Sequence, residues 1–154
     1  MPHDDALSTL NDLIQTCKDG EEGFLQCAEH ISDPQLKSLF TSRANGCAKA
    51  ADELRQLVAS LGGVAMARSS VSGSMHRGWV NLKAAITGKD DESILSETER
   101  GEDMAIASYR NALERDLPPA IRSVVESQYQ LVIRNHDEVK RLRDQARLAK
   151  NNHR

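Results

Sequence analysis

Two acids, Glu21 in the run Lys18-Asp19-Gly20-Glu21-Glu22 and Glu102 in Glu99-Arg100-Gly101-Glu102-Asp103, interrupt stripes of apolar residues at helical spacing. A carboxylate on an inward helix face has to be paired, protonated or bound to a metal, because an isolated buried charge is too costly to keep. Each acid is followed by a proline-marked reversal, at Pro34 and at Pro118-Pro119. Counted outward from these pivots in two antiparallel hairpins, Glu21 reaches the depth of Cys47, Glu102 that of His136, and Tyr109 lies opposite Tyr129. Glu21, Glu102 and His136, with Cys47 beside them, offer the carboxylate, imidazole and thiolate that bind iron, manganese or zinc.

A second arrangement needs no metal. Arg43 falls within about one helical turn of Glu21 and its guanidinium could neutralise that acid, while Gln128 and Asn135 could hydrogen-bond Glu102. A di-iron centre in a helical bundle takes Glu from two helices and Glu-x-x-His from each of the other two. No Glu-x-x-His occurs in this chain. A polar core of Glu21, Arg43, Glu102, Gln128 and Asn135 without cofactor is therefore the first expectation, and a metal site at Glu21, Glu102 and His136 the alternative. Tyr109 and Tyr129 read as core residues with satisfied hydroxyls, and Trp79, near His76 and Arg77, as the anchor of a connecting helix.

The elements that must position these groups are helices. Leu7, Leu10, Ile14, Cys17, Glu21, Phe24, Ala28 and Ile31 recur every three or four residues, which predicts a helix over about 5–31. Ser32-Asp33-Pro34 ends it and starts the next, whose inward residues are Leu36, Phe40, Arg43, Cys47, Leu54, Val58 and Leu61 and which stops at Gly62-Gly63. A Ser-, Ala- and Gly-rich stretch leads into a shorter amphipathic segment from Met75 to Ile86. A helix over about 91–115 then turns at Asp116-Leu117-Pro118-Pro119 into a last one carrying Ile121, Val125, Gln128, Val132, Asn135, Val139, Leu142 and Ala146. Two tight hairpins joined by a long crossover predict an all-α, ferritin-like four-helix bundle.

Three runs carry a resemblance: Asp19-Gly20-Glu21-Glu22-Gly23-Phe24, His76-Arg77-Gly78-Trp79-Val80-Asn81-Leu82-Lys83, and Glu99-Arg100-Gly101-Glu102-Asp103. Together they resemble a bacterial family of ferritin-like proteins of unknown function over about residues 5–148. The resemblance implies the fold, and a role in bacterial stress physiology as an expectation. It implies no catalytic residue.

Composition narrows the function classes. The chain has 154 residues, which suits one domain over 1–154, with its core in about 5–148 and a basic tail at 149–154. Twenty basic against 23 acidic residues leave a formal charge of −3, which argues against a strongly electrostatic nucleic-acid binder. Nucleic-acid contact through Lys140, Arg141, Arg143, Arg147 and Lys150 ranks last; a solvated final helix favoured by the dipole explains that series. Cys17, Cys27 and Cys47 form no paired framework, so reduced thiols in a cytoplasmic protein are expected. No run is long and apolar enough for a membrane span. Phosphate loops, a nucleophile elbow and paired zinc motifs are absent. The leading expectation is a structural or interaction protein with a degenerate metal centre, associating with itself or a protein partner. A metal-dependent oxidase or iron-handling protein is the runner-up.

Overall fold

A computed structural model describes residues 4–63 and 82–152. Trp79, with His76 and Arg77, and the front of the expected connecting helix lie outside the described residues. Four long helices and one short one account for the fold, with no strand among the described residues. They are α1 (Asp4–His30), α2 (Pro34–Ser60), α3 (Leu82–Ile86), α4 (Asp91–Leu113) and α5 (Pro119–Asn152).

Local chemistry sets the boundaries. The residue before Pro34 is pushed into extended backbone, so Asp33 (φ −71°, ψ 121°) ends the reversal and its carboxylate accepts from the Gln35 N–H at 2.8 Å. The Asp91 carboxylate accepts from the Ser32 and Asp33 N–H groups at 2.8 and 3.1 Å, tying the α1–α2 turn to the first turn of α4. Gly62, at φ +77°, closes α2, with the Gly63 N–H donating to Val58 O. Asp90 caps α4 by accepting from the Ser93 N–H at 2.9 Å. At the other end Arg122 donates to the Leu113 and Arg115 carbonyls at 2.8 and 2.6 Å, so the first turn of α5 satisfies the carbonyls that α4 leaves unpaired.

Cross-helix contacts give the directions. Thr16 meets Ser108 and Cys27 meets Thr98, so α1 and α4 are antiparallel. Arg43 meets Glu138 and Glu53 meets Gln128, so α2 and α5 are antiparallel as well. With α1–α2 and α4–α5 as hairpins, α2 and α4 run the same way. The core falls into two apolar clusters. One joins Leu10, Leu13 and Ile14 to Leu54, Val58, Ala112, Ile121 and Val125. The other joins Phe24, Ile31 and Phe40 to Leu82, Ile86, Ile94, Leu95 and Val139. Leu61 packs on the first cluster and Leu82 lies in the second.

Candidate functional site

Between the two clusters the bundle is not filled. Gly20 brings α1 against α2 so closely that a Cβ there would stand 3.1 Å from the Cys47 sulfur. On α2, next to Cys47, a Cβ at the exposed Gly46 would meet nothing within 4 Å. These short side chains leave a cavity of about 360 Å³ to which all four long helices contribute. Thr16, Cys17, Gly20 and Phe24 of α1 and Glu102, Ala105 and Tyr109 of α4 form one side; Cys47, Gln128, Val132 and Asn135 face them from α2 and α5. The lining residues Ser42, Gly46, Lys49, Glu53 and Leu131 are exposed, which places the mouth between α2 and α5.

Glu102 is the buried acid at the floor. It is 3% exposed, and its Oε1 has no hydrogen-bond partner among the described residues. Burial pushes its carboxyl up from the ordinary 4.5 to about 8; Arg43 opposes the rise, and Asp103, Glu99 and Glu138 add to it. At neutral pH the group is therefore mainly a neutral acid, able to donate a hydrogen bond instead of bearing a charge. The expected inward position of Glu102 holds, but its expected partners do not. Gln128 accepts from the Tyr109 hydroxyl at 2.7 Å and donates to Glu53 Oε1 at 3.0 Å and Ala50 O at 3.3 Å. Asn135 lines the cavity half-buried.

Glu21 differs from Glu102. It is half-buried and does not line the cavity, because the α1 position that faces Cys47 is its neighbour Gly20. Glu21 still reaches the depth expected for it, near enough to help raise the Cys47 thiol, although burial is the main cause of that rise. Arg43 does not neutralise it. The guanidinium crosses to α5, where Nη2 donates to Glu138, and Nε is left without a partner.

Beside the acid runs a satisfied relay. The buried Cys17 thiol, pushed up to about 11 by desolvation, lies 3.3 Å from the Tyr109 hydroxyl, which donates onward to Gln128, and Gln128 to Glu53. The chain of bonds touches α1, α4, α5 and α2 in turn. Tyr109 thus faces Gln128, one residue from the Tyr129 expected opposite it; Tyr129 packs half-buried against the first apolar cluster.

His136 lies elsewhere, on the α4–α5 seam. Its Nε2 is 2.6 Å from Asp103 Oδ1 but off the line of an N–H bond, and 3.7 Å from Glu99 Oε1. Among the described residues, Glu99, Asp103 and His136 are the one group of three whose ligand atoms lie within 4.8 Å of one another. The expected set of Glu21, Glu102 and His136 is not brought together. Among the described residues no group of three acid, thiol or imidazole ligand atoms forms around Glu102, so the described central layer does not fit a metal pair. Arg143 on Glu99, Arg147 on Glu92 and Lys150 on Asp90 ladder α5 onto α4, and Arg141, Arg147 and Lys150 keep their solvent exposure. The Lys150 and Ser93 contacts hold the Asp90 carboxyl well below the usual range.

Sequence reasoning missed Glu99, Asp103 and Glu53, and the two glycines that open the cavity. The signals were present: acids at i and i+4 share a helix face, and Gly inside a helix costs about 1 kcal/mol relative to Ala without a structural reason.

A family model, described as a domain of unknown function (DUF2383), matches residues 5–115, well over half of the chain. The chain belongs to this family. The DUF2383 match takes in α1 to α4, with Gly20, Cys47 and Glu102; Gln128, Asn135 and His136 on α5 lie beyond it. No curated protein matches the chain.

Proposed function

We propose that this protein is a ferritin-like bundle whose central layer has become a binding pocket for a small organic molecule instead of a metal centre. The observation that carries this reading is the cavity of about 360 Å³ built around a buried carboxyl group whose Oε1 is unpartnered. The volume lies in the range of small-molecule sites, which are mostly apolar with a few placed polar groups. The polar groups here come from all four long helices, so a ligand would also hold the bundle in one arrangement. The free cysteines fit a reducing, cytoplasmic setting, and the acids bonded to Arg143, Arg147 and Lys150 leave little of that series for nucleic acid.

Gly46→Leu tests the reading, because the added side chain enters space where a Cβ meets nothing, on a helix that tolerates it. A solvatochromic apolar dye is expected to bind wild-type protein with one-to-one stoichiometry and to lose at least tenfold in affinity to this variant. Dye binding that is absent from the wild type, or unchanged in Gly46→Leu, contradicts the pocket.

A second reading rests on a different observation, the convergence of Glu99, Asp103 and His136. Arg143 holds Glu99 Oε2, which leaves Oε1 on the His136 side. The types suit zinc or iron, and metal handling would then belong to the α4–α5 seam, not to the bundle centre.

A further inference from the structure

Glu99 and Asp103 stand four residues apart on α4, so they share one helix face, and the antiparallel return of α5 sets His136 across from both. The three side chains differ in enclosure. Glu99 and His136 are 13% and 16% exposed, whereas Asp103 is 58% exposed. Two of the groups are therefore held inside the α4–α5 seam, and the third stands in solvent at its edge.

A plain ion pair does not account for this contact. His136 Nε2 is covered and makes no hydrogen bond among the described residues, although carboxylate oxygens lie 2.6 and 3.7 Å away. A pair that served only to join the two helices would direct its N–H along one of those lines. The far atoms of the two enclosed groups are engaged instead: Arg143 holds Glu99 Oε2, and Asp137 Oδ1 lies 3.5 Å from His136 Nδ1. Near atoms free and far atoms held is the arrangement that outer partners give to metal ligands. Charge agrees with a cation. Glu99, Asp103 and Asp137 face Arg143, which is itself shared with Asp144.

The ligand types choose among cations. Calcium and magnesium favour shells made of oxygen, and soft copper favours sulfur, whereas one imidazole with two carboxylates suits zinc and ferrous iron. Structural zinc sites are closed by four protein ligands, while three leave a position for solvent. The group in the seam has three members.

Resting on the seam reading above, we propose that Glu99, Asp103 and His136 form a mononuclear, exchangeable site for a divalent transition ion of the zinc class. Glu99 Oε1 and His136 Nε2 are its fixed ligands, Asp103 Oδ1 is the ligand that admits and releases the ion, and solvent takes the fourth position. The ion is cargo held reversibly, not a staple that the fold requires.

Two measurements test this: calorimetric zinc titration with magnesium and calcium as competitors, and stopped-flow removal of bound zinc by a colorimetric chelator. The proteins are wild type, His136→Ala, Asp103→Asn and Asp144→Asn, each first shown by circular dichroism to be folded. The expected result is one zinc per chain, undisturbed by a ~100-fold excess of magnesium or calcium. His136→Ala should abolish binding. Asp103→Asn, at an exposed position, should weaken zinc by about tenfold or more and speed its release by a similar factor. Asp144→Asn, which removes a nearby charge outside the set, should change neither. If magnesium or calcium displaces the zinc, the ion class is overturned. If Asp103→Asn binds and releases zinc as wild type does, or Asp144→Asn loses as much, the exchange role of Asp103 is overturned and the seam site stands. If wild type binds no stoichiometric zinc, or His136→Ala binds it equally well, the seam reading itself fails.

Discussion

Glu102 and Glu21 show what one residue type does in two settings. Both interrupt an apolar stripe, but Glu102 is enclosed by the bundle whereas Glu21 sits one residue around the helix from the position that faces Cys47. A helical step of 100° per residue moves a side chain from the floor of a cavity to its flank, and counting from a proline pivot yields depth without that rotation. The enclosed acid has a thermodynamic consequence. Its carboxyl titrates near 8 in the folded chain against 4.5 ordinarily, so between these values the folded state keeps a proton that the unfolded state has released. Stability is fullest below about 4.5, falls as pH rises through about 8, and is lower by roughly 3 kcal/mol at neutral pH. Glu102→Gln, which needs no proton, is expected to remove that slope and to be more stable than wild type in alkaline solution. Urea unfolding from about pH 5 to about pH 9 measures it. A difference between variant and wild type that stays constant across this range contradicts the assignment.

Helices as units were legible in the sequence. The expected spans of about 5–31 and 91–115 correspond to Asp4–His30 and Asp91–Leu113, because Asp33, Pro34 and Asp90 carry their capping chemistry in their side chains. Partners across helices were not. Arg43 was expected on Glu21 of its own hairpin, yet a long guanidinium near a helix edge reaches either neighbour, and Glu138 on α5 captures it. The α4–α5 seam was hidden for a related reason: Glu99, Asp103 and His136 flank the apolar stripes instead of interrupting them. If that seam holds a divalent cation, zinc should raise the melting temperature of wild-type protein by several degrees, by mass action on the folded state, and leave His136→Ala unmoved. Thermal scans with and without zinc decide it. Equal shifts in both proteins, or none in either, end the metal reading of the seam.

At the scale of the whole molecule, the four long helices form two well-filled apolar ends and a middle layer of glycine, cysteine and amide positions in which the buried acid Glu102 lines the cavity. An interior normally closes to crystal-like density, so space left around a buried polar group is a feature to be explained by what enters it. That middle layer was legible as a polar interruption; its emptiness was not, since volume depends on how far α2 and α5 stand apart, which no stripe encodes. The most direct test is amide chemical-shift mapping during titration with the apolar dye. The largest shifts are expected at residues 16–24, 42–53, 102–109 and 128–135, the segments of all four long helices that line the cavity. Shifts confined to the helix ends or to the α4–α5 seam, or no saturable shifts at all, would contradict a ligand site at the centre of the bundle.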